Sequence, residues 1–209
     1  MRTLFFTALM AIGGLTANTA LAAPLVAGQN YAVLANPVAT AEAEKIEVVE
    51  MFWYGCPSCY QLEPTIANWK KDLPDDVNFI KVPAMFGGVW NLHAQLFYTL
   101  QALKADDSVH DAVFEALHER NRRLASPAEI TTFAGTLGFD KETFEKTWNS
   151  FGVKSQLEKA KKLAIAYQVS GVPSMVVNGK YRFDIGMAGG LQEVATVANQ
   201  LIDQERNTQ

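Results

Sequence analysis

The chain has 209 residues, 49% hydrophobic and 19% charged, which excludes a disordered polymer and suits one folded domain or a domain with an insertion. Its formal net charge of −4 at pH 7 offers no basic footprint for nucleic acid or an anionic membrane. A chain of this length buries a substantial core without disulfide or metal staples.

The first element is a leader. Arg2 precedes an apolar stretch from Leu4 to Leu15, and small residues follow, ending in Ala20-Leu21-Ala22. A charged start, an apolar middle and a small-x-small site make residues 1–22 a signal peptide, cleaved after Ala22 to leave an exported chain beginning at Ala23. A membrane anchor is the weaker reading, because Gly13, Gly14, Thr16, Asn18 and Thr19 interrupt the run well short of about 20 residues.

Tyr31 to Leu34 has the makings of a short edge strand. Lys45 to Tyr54 is the clearest strand: β-branched and aromatic, with apolar residues on both faces, as in the centre of a sheet. Cys56 follows directly. A helix is predicted from Pro57 to about Lys71, with Pro57 in its first turn and a kink at Pro64. Val77 to Val82 reads as the next strand. From Asn91 to Trp148 the pattern is helical, and Ser126-Pro127-Ala128-Glu129 carries the signature of a capped helix start. Val153 to Val169 is a longer amphipathic helix, broken by Gly171-Val172-Pro173. Two short strands then flank Asn178-Gly179, a strong hairpin signal, and a helix from about Leu191 to Gln204 closes the chain.

The chemistry concentrates in Gly55-Cys56-Pro57-Ser58-Cys59, which holds both cysteines of the chain. A disulfide closing so short a loop removes little chain entropy, so a structural staple explains the pair poorly. Zinc needs further ligands at metal-site spacing. His93, His110 and His118 are scattered elsewhere and read as surface or ordinary helix histidines; no metal is expected. A Cys-x-x-Cys that leaves a strand and opens a helix has a redox rationale instead. The first cysteine lies where unpaired helix N–H groups and the positive end of the helix dipole favour a thiolate. Cys56 is thus the expected nucleophile and Cys59 its buried resolving partner.

Glu50-Met51-Phe52-Trp53-Tyr54-Gly55-Cys56-Pro57, Val172-Pro173 with the hairpin after it, and the helical block between them resemble the DsbA family of the thioredoxin superfamily. The likeness covers essentially the whole mature chain. It implies an α/β thioredoxin fold, 23–83 and 153–209, interrupted by an inserted helical domain, 84–152, that caps the CxxC face. It implies a periplasmic thiol:disulfide oxidoreductase of a Gram-negative bacterium, donating its disulfide to reduced, folding exported polypeptides. Reoxidation would come from a DsbB-like, quinone-linked membrane protein; no bound cofactor, no nucleic acid and a monomer are expected. The resemblance also assigns Val172-Pro173 as a cis-proline substrate loop, and Glu50 and Lys81 as a buried charge pair that moves protons.

One position departs from the family pattern. The usual dipeptide between the cysteines is Pro-His, whereas here it is Pro57-Ser58. Ser58 supplies only a neutral hydroxyl, so Cys56 is expected to have a higher pKa than in the typical member and the protein to be a weaker oxidant. A reductase or isomerase is the alternative within this chemistry, although Ala23 to Ala43 is too short for an added dimerisation domain. A peptide-binding holdase with an incidental disulfide is the alternative outside it.

Overall fold

The computed structural model describes residues 24–208, so the signal-peptide reading of 1–22 lies outside the described residues. Five strands form one sheet in the order β1-β5-β4-β2-β3. They are β1 (Ala32–Val33), β2 (Ile46–Phe52), β3 (Val77–Pro83), β4 (Ser174–Val177) and β5 (Tyr181–Asp184). β2 pairs in parallel with β3 and antiparallel with β4, and all seven of its residues are buried. That placement explains its lack of alternation: a strand covered on both faces needs apolar side chains on both. β1 is the edge strand anticipated near Tyr31, paired with β5.

Two apolar layers enclose the sheet. On one face Leu62, Ile66 and Trp69 of α1 (Pro57–Lys71) and Val197, Leu201 and Ile202 of α8 (Val194–Arg206) pack against Ile46, Val48, Met175 and Phe183. On the other, Val49 and Met51 meet the helices that lie between β3 and β4. These are α2 (Val89–Ala102), α3 (Asp107–His118), α4 (Pro127–Thr136), α5 (Lys141–Trp148) and α6 (Phe151–Ala166). α1 runs through Pro64 as one helix. The Ser126 start forms as read, with Glu129 N–H donating to Ser126 Oγ at 3.2 Å. A one-turn helix, α7 (Ile185–Ala188), stands ahead of α8, which consequently begins at Val194 rather than Leu191. Gly189 and Gly190, both at positive φ, separate the two. Among the described residues no helix is long and apolar enough to cross a membrane.

The Asn178-Gly179 turn is fixed from several sides. Both residues have positive φ, 50° and 61°, as a tight hairpin turn requires. A Cβ on Gly179 would fall 2.0 Å from the Val38 carbonyl oxygen, so no other residue fits there. Glu205, fully buried on α8, accepts hydrogen bonds from Asn178 Nδ2 at 2.5 Å and Lys180 Nζ at 2.6 Å. Replacing Glu205 with Ala removes both and should destabilise the protein by about 2 kcal/mol. A lower urea midpoint with an unchanged slope is the expected result; an unmoved midpoint would show that the turn holds without α8.

Candidate active site

Trp53, Tyr54 and Gly55 carry the chain from β2 into α1. Cys56 N–H donates to the Trp53 carbonyl at 3.0 Å, closing the turn. The Trp53 indole folds over Gly55, where a Cβ would lie 2.3 Å from its ring. Cys56 then occupies the N-cap of α1 in extended conformation, φ −87° and ψ 116°, with Pro57 as the first helical residue. Cys59 N–H donates to Cys56 Sγ at 3.1 Å. The two cysteines are free thiols; Cys56 keeps 7% of its surface exposed and Cys59 none.

One helical turn therefore gives the two sulfurs opposite environments. The Cys56 thiol is brought down to about 7, first by its hydrogen bond from the Cys59 side chain. The amide N–H groups of Cys59 and Ser58 add to this against the cost of burial. Burial pushes the Cys59 thiol far up, and the hydrogen bond it gives Cys56 adds to that. Ser58 contributes through its backbone only. Its half-buried hydroxyl makes no hydrogen bond among the described residues, and it faces a cleft of about 420 Å³ that Arg182 and Asp184 also line.

The Val172–Pro173 peptide bond is cis, and the Val172 carbonyl accepts from Cys56 Sγ–H at 3.5 Å. Below the cysteines, Glu50 of β2 sits opposite Lys81 of β3 in the parallel register. Lys81 Nζ is 3.7 Å from Glu50 Oε2 but 2.5 Å from both carboxylate oxygens of Glu63 on α1. Glu50 is fully buried and neither of its oxygens has a hydrogen-bond partner. Burial raises its pKa to about 7, opposed by Lys81 and reinforced by Glu63. Glu63 was not among the residues singled out from sequence. Its signal was present, since it lies four residues beyond Cys59 and so on the same helix face.

The three histidines all lie on helices and all turn inward, so none is a free surface group. His93 and His110 are brought down to about 4 by burial. His110 Nδ1 hydrogen-bonds the Tyr54 hydroxyl, and His118 Nε2 lies 2.7 Å from the Tyr54 carbonyl. They fasten the residue that precedes Gly55-Cys56. Trp53 stacks on Trp90 at 4.0 Å between ring centroids, walling a groove of about 340 Å³ that Gly55 and Pro57 also line.

A family model described as a DSBA-like thioredoxin domain matches residues 47–202. The thiol:disulfide interchange protein DsbA of Pseudomonas aeruginosa is 53% identical over 206 residues, covering 99% of this chain and 98% of that one. The chain belongs to the DsbA family. DsbA of Azotobacter vinelandii is 54% identical over 203 residues, covering 97% and 94% of the two chains. The crystal structure of P. aeruginosa DsbA superposes with a TM-score of 0.85 at 55% identity, covering 88% of this chain and 95% of that one. As a member of that family, the chain is a thiol:disulfide oxidoreductase with a thioredoxin-like fold, and it acts on substrate proteins in disulfide formation.

The environment of Cys56 has two measurable consequences. With its pKa at about 7 and that of Cys59 far higher, reduction takes up two protons per two electrons below neutral pH and one above it. The midpoint potential should therefore fall by about 59 mV per pH unit below 7 and by about 30 mV per unit above it. A slope that stays constant through neutrality would contradict this asymmetry. Separately, Ser58→His should lower the Cys56 pKa and raise the potential by tens of millivolts, at about 30 mV for each 1.4 kcal/mol of thiolate stabilisation. Equilibration with glutathione measures it, and an unchanged potential would remove Ser58 from the account.

Proposed function

We propose that this chain oxidises reduced, folding exported polypeptides by giving them its Cys56–Cys59 disulfide. The observation that carries the reading is the opposite displacement of the two thiols, Cys56 down to about 7 and Cys59 far up. Stabilising the Cys56 thiolate stabilises the reduced form, and a protein whose reduced form is favoured gives its disulfide away.

In the proposed cycle a substrate thiolate attacks Cys56 Sγ. The Cys56–Cys59 bond breaks and Cys59 leaves with the electron pair, taking up a proton. A second substrate thiolate then attacks the substrate sulfur of the mixed disulfide. The substrate disulfide forms, and Cys56 departs as the thiolate that the start of α1 stabilises. Glu50, with a pKa of about 7, is the proposed proton source for Cys59, beside Lys81, which also pairs with Glu63. Val172-Pro173 is the proposed peptide-docking loop, supported by the 3.5 Å approach of the Val172 carbonyl to Cys56 Sγ.

The setting is proposed to be the periplasm of a Gram-negative bacterium, which the leader-like residues 1–22 support. A DsbB-like, quinone-linked membrane protein would restore the disulfide of the monomeric enzyme. We also propose residues 84–152 as a helical insertion between the thioredoxin-like segments 23–83 and 153–209.

Oxidation of a reduced multi-cysteine substrate by the disulfide form tests the reading. Cys56→Ser should abolish it, while Cys59→Ser should form no internal disulfide but take up an activated substrate disulfide as a stable mixed disulfide. A Cys56→Ser protein that still promotes correct pairing would overturn the proposal.

A further inference from the structure

The groove lined by Gly55 and Pro57, on either side of Cys56, is also lined by Arg123 in the loop between α3 and α4. A second cleft, of about 430 Å³, shares Arg123 and adds Arg122 and Glu129. The two spaces share Arg123, so both arginines border the surface that also includes the chain neighbours of Cys56. Of the three arginines in this loop, Arg120 is paired with Glu115 at 2.9 Å. Arg122 and Arg123 are exposed and belong to no ion pair among the described residues. Glu129, the one carboxylate lining either space among the described residues, is engaged by the Ala125 N–H at 3.1 Å.

The loop that carries these cations is held in place. Asn121 and Leu124 sit in the left-handed region at φ 52° and 45°, a conformation that non-glycine residues adopt only when their surroundings impose it. Leu124 is buried, and its carbonyl accepts from His93 Nε2–H at 3.2 Å. His93 in turn stacks on Trp53, the groove wall. The loop carrying the two guanidinium groups is thus anchored to the groove, and ordering it costs little on binding.

We propose that Arg122 and Arg123 form a basic rim that favours substrate segments carrying an acidic residue on one side of the reacting cysteine. The proposal rests on the oxidase reading above and names a substrate preference for the same site. The preference is one-sided because the space on the other flank, against Ser58, Val172 and Pro173, contains charges of both signs. There Arg182 already donates to the Gln168 carbonyl and Asp184 caps α7. The whole chain, at a net −4, repels an acidic peptide at long range. A preference for acidic peptides must therefore arise from this local rim and not from overall charge.

The test uses the full-length oxidised protein and single-cysteine peptides with Glu, Gln or Lys at successive positions on either side of the cysteine. The rate of reduction of the Cys56–Cys59 disulfide is followed. The expected result at low salt is a Glu-over-Lys preference of about fivefold on one side only, the yield of two exposed charge pairs. Arg122→Gln combined with Arg123→Gln should lower the ratio to the value set by the peptides' own thiols, high salt should weaken the preference, and the doubly Glu-substituted variant should lower the ratio further. Reduction by an uncharged small dithiol should match wild type in every variant. An acidic neighbour changes the peptide's own thiol equally against each protein, so comparing the ratios isolates the rim. Equal ratios in wild type and the double Gln variant would overturn the proposal while leaving the oxidase reading intact. Failure of the wild type to oxidise any peptide would overturn both.

Discussion

The hydrogen bond from Cys59 N–H to Cys56 Sγ, at 3.1 Å, is the contact on which the rest of the site depends. It exists only if Cys56 is the last residue outside α1 and Cys59 lies one turn inside it. That placement requires β2 to deliver the chain at a fixed depth. Burial of β2 on both faces provides the depth, since sliding the strand by one residue would exchange Glu47, Val49 and Met51 with the residues of the opposite face. The connecting residues are held as firmly, with Gly55 under the Trp53 ring and Tyr54 tied to His110 and His118. The same turn that aims amides at one sulfur places the other in the apolar core. A single backbone feature thus produces both a favoured thiolate and a disfavoured one.

The charges beneath the cysteines follow a similar economy. Two carboxylates, Glu50 and Glu63, share one ammonium, and the shorter contacts of Lys81 go to Glu63. Glu50 is left fully buried with the more distant share of the cation and no hydrogen-bond donor. A carboxylate so placed holds its proton to higher pH, and burial raises Glu50 to about 7. The charge of Glu50 also raises Cys59, so a proton on either group eases ionisation of the other. In the proposed cycle Cys59 needs a proton at the moment it leaves, and Glu50 is the buried acid that retains one near neutral pH. Glu63 acts by drawing Lys81 away from Glu50, a positioning role.

Much of this was legible from the residues alone, for identifiable reasons. β2 announced itself through an unbroken β-branched and aromatic run, and α1 through Pro57 in its first turn. The hairpin followed from Asn178-Gly179, whose backbone needs are local. Glu50 was different: an acid in an apolar strand reads equally well as edge-facing, and only the resemblance set it opposite Lys81. Spacing puts Glu63 on the helix face of Cys59, but its pairing with Lys81 of β3 is a contact between elements that no local pattern encodes. In sequence the histidines read as surface or ordinary helix groups, because their burial depends on how α2 and α3 pack against Tyr54 and its neighbours. The basic rim also depends on tertiary geometry, since its two arginines gain meaning only by bordering the surface that includes the chain neighbours of Cys56.

The source of thiolate stabilisation limits how far any one side chain can change this oxidant. The groups that lower Cys56 are its hydrogen bond from the Cys59 side chain and the amides of Cys59 and Ser58, all fixed by the helix start. A residue between the cysteines adds to that base but does not create it. Ser58, whose hydroxyl makes no hydrogen bond among the described residues, leaves the base on its own. Support for the Cys56 thiolate therefore comes from the strand-to-helix junction, and a charged side chain at residue 58 would shift the potential by about 30 mV for each 1.4 kcal/mol it added. A fold that separates these two roles can vary its oxidising power at one half-exposed position while the buried parts, β2, Glu50, Lys81 and Cys59, remain unaltered.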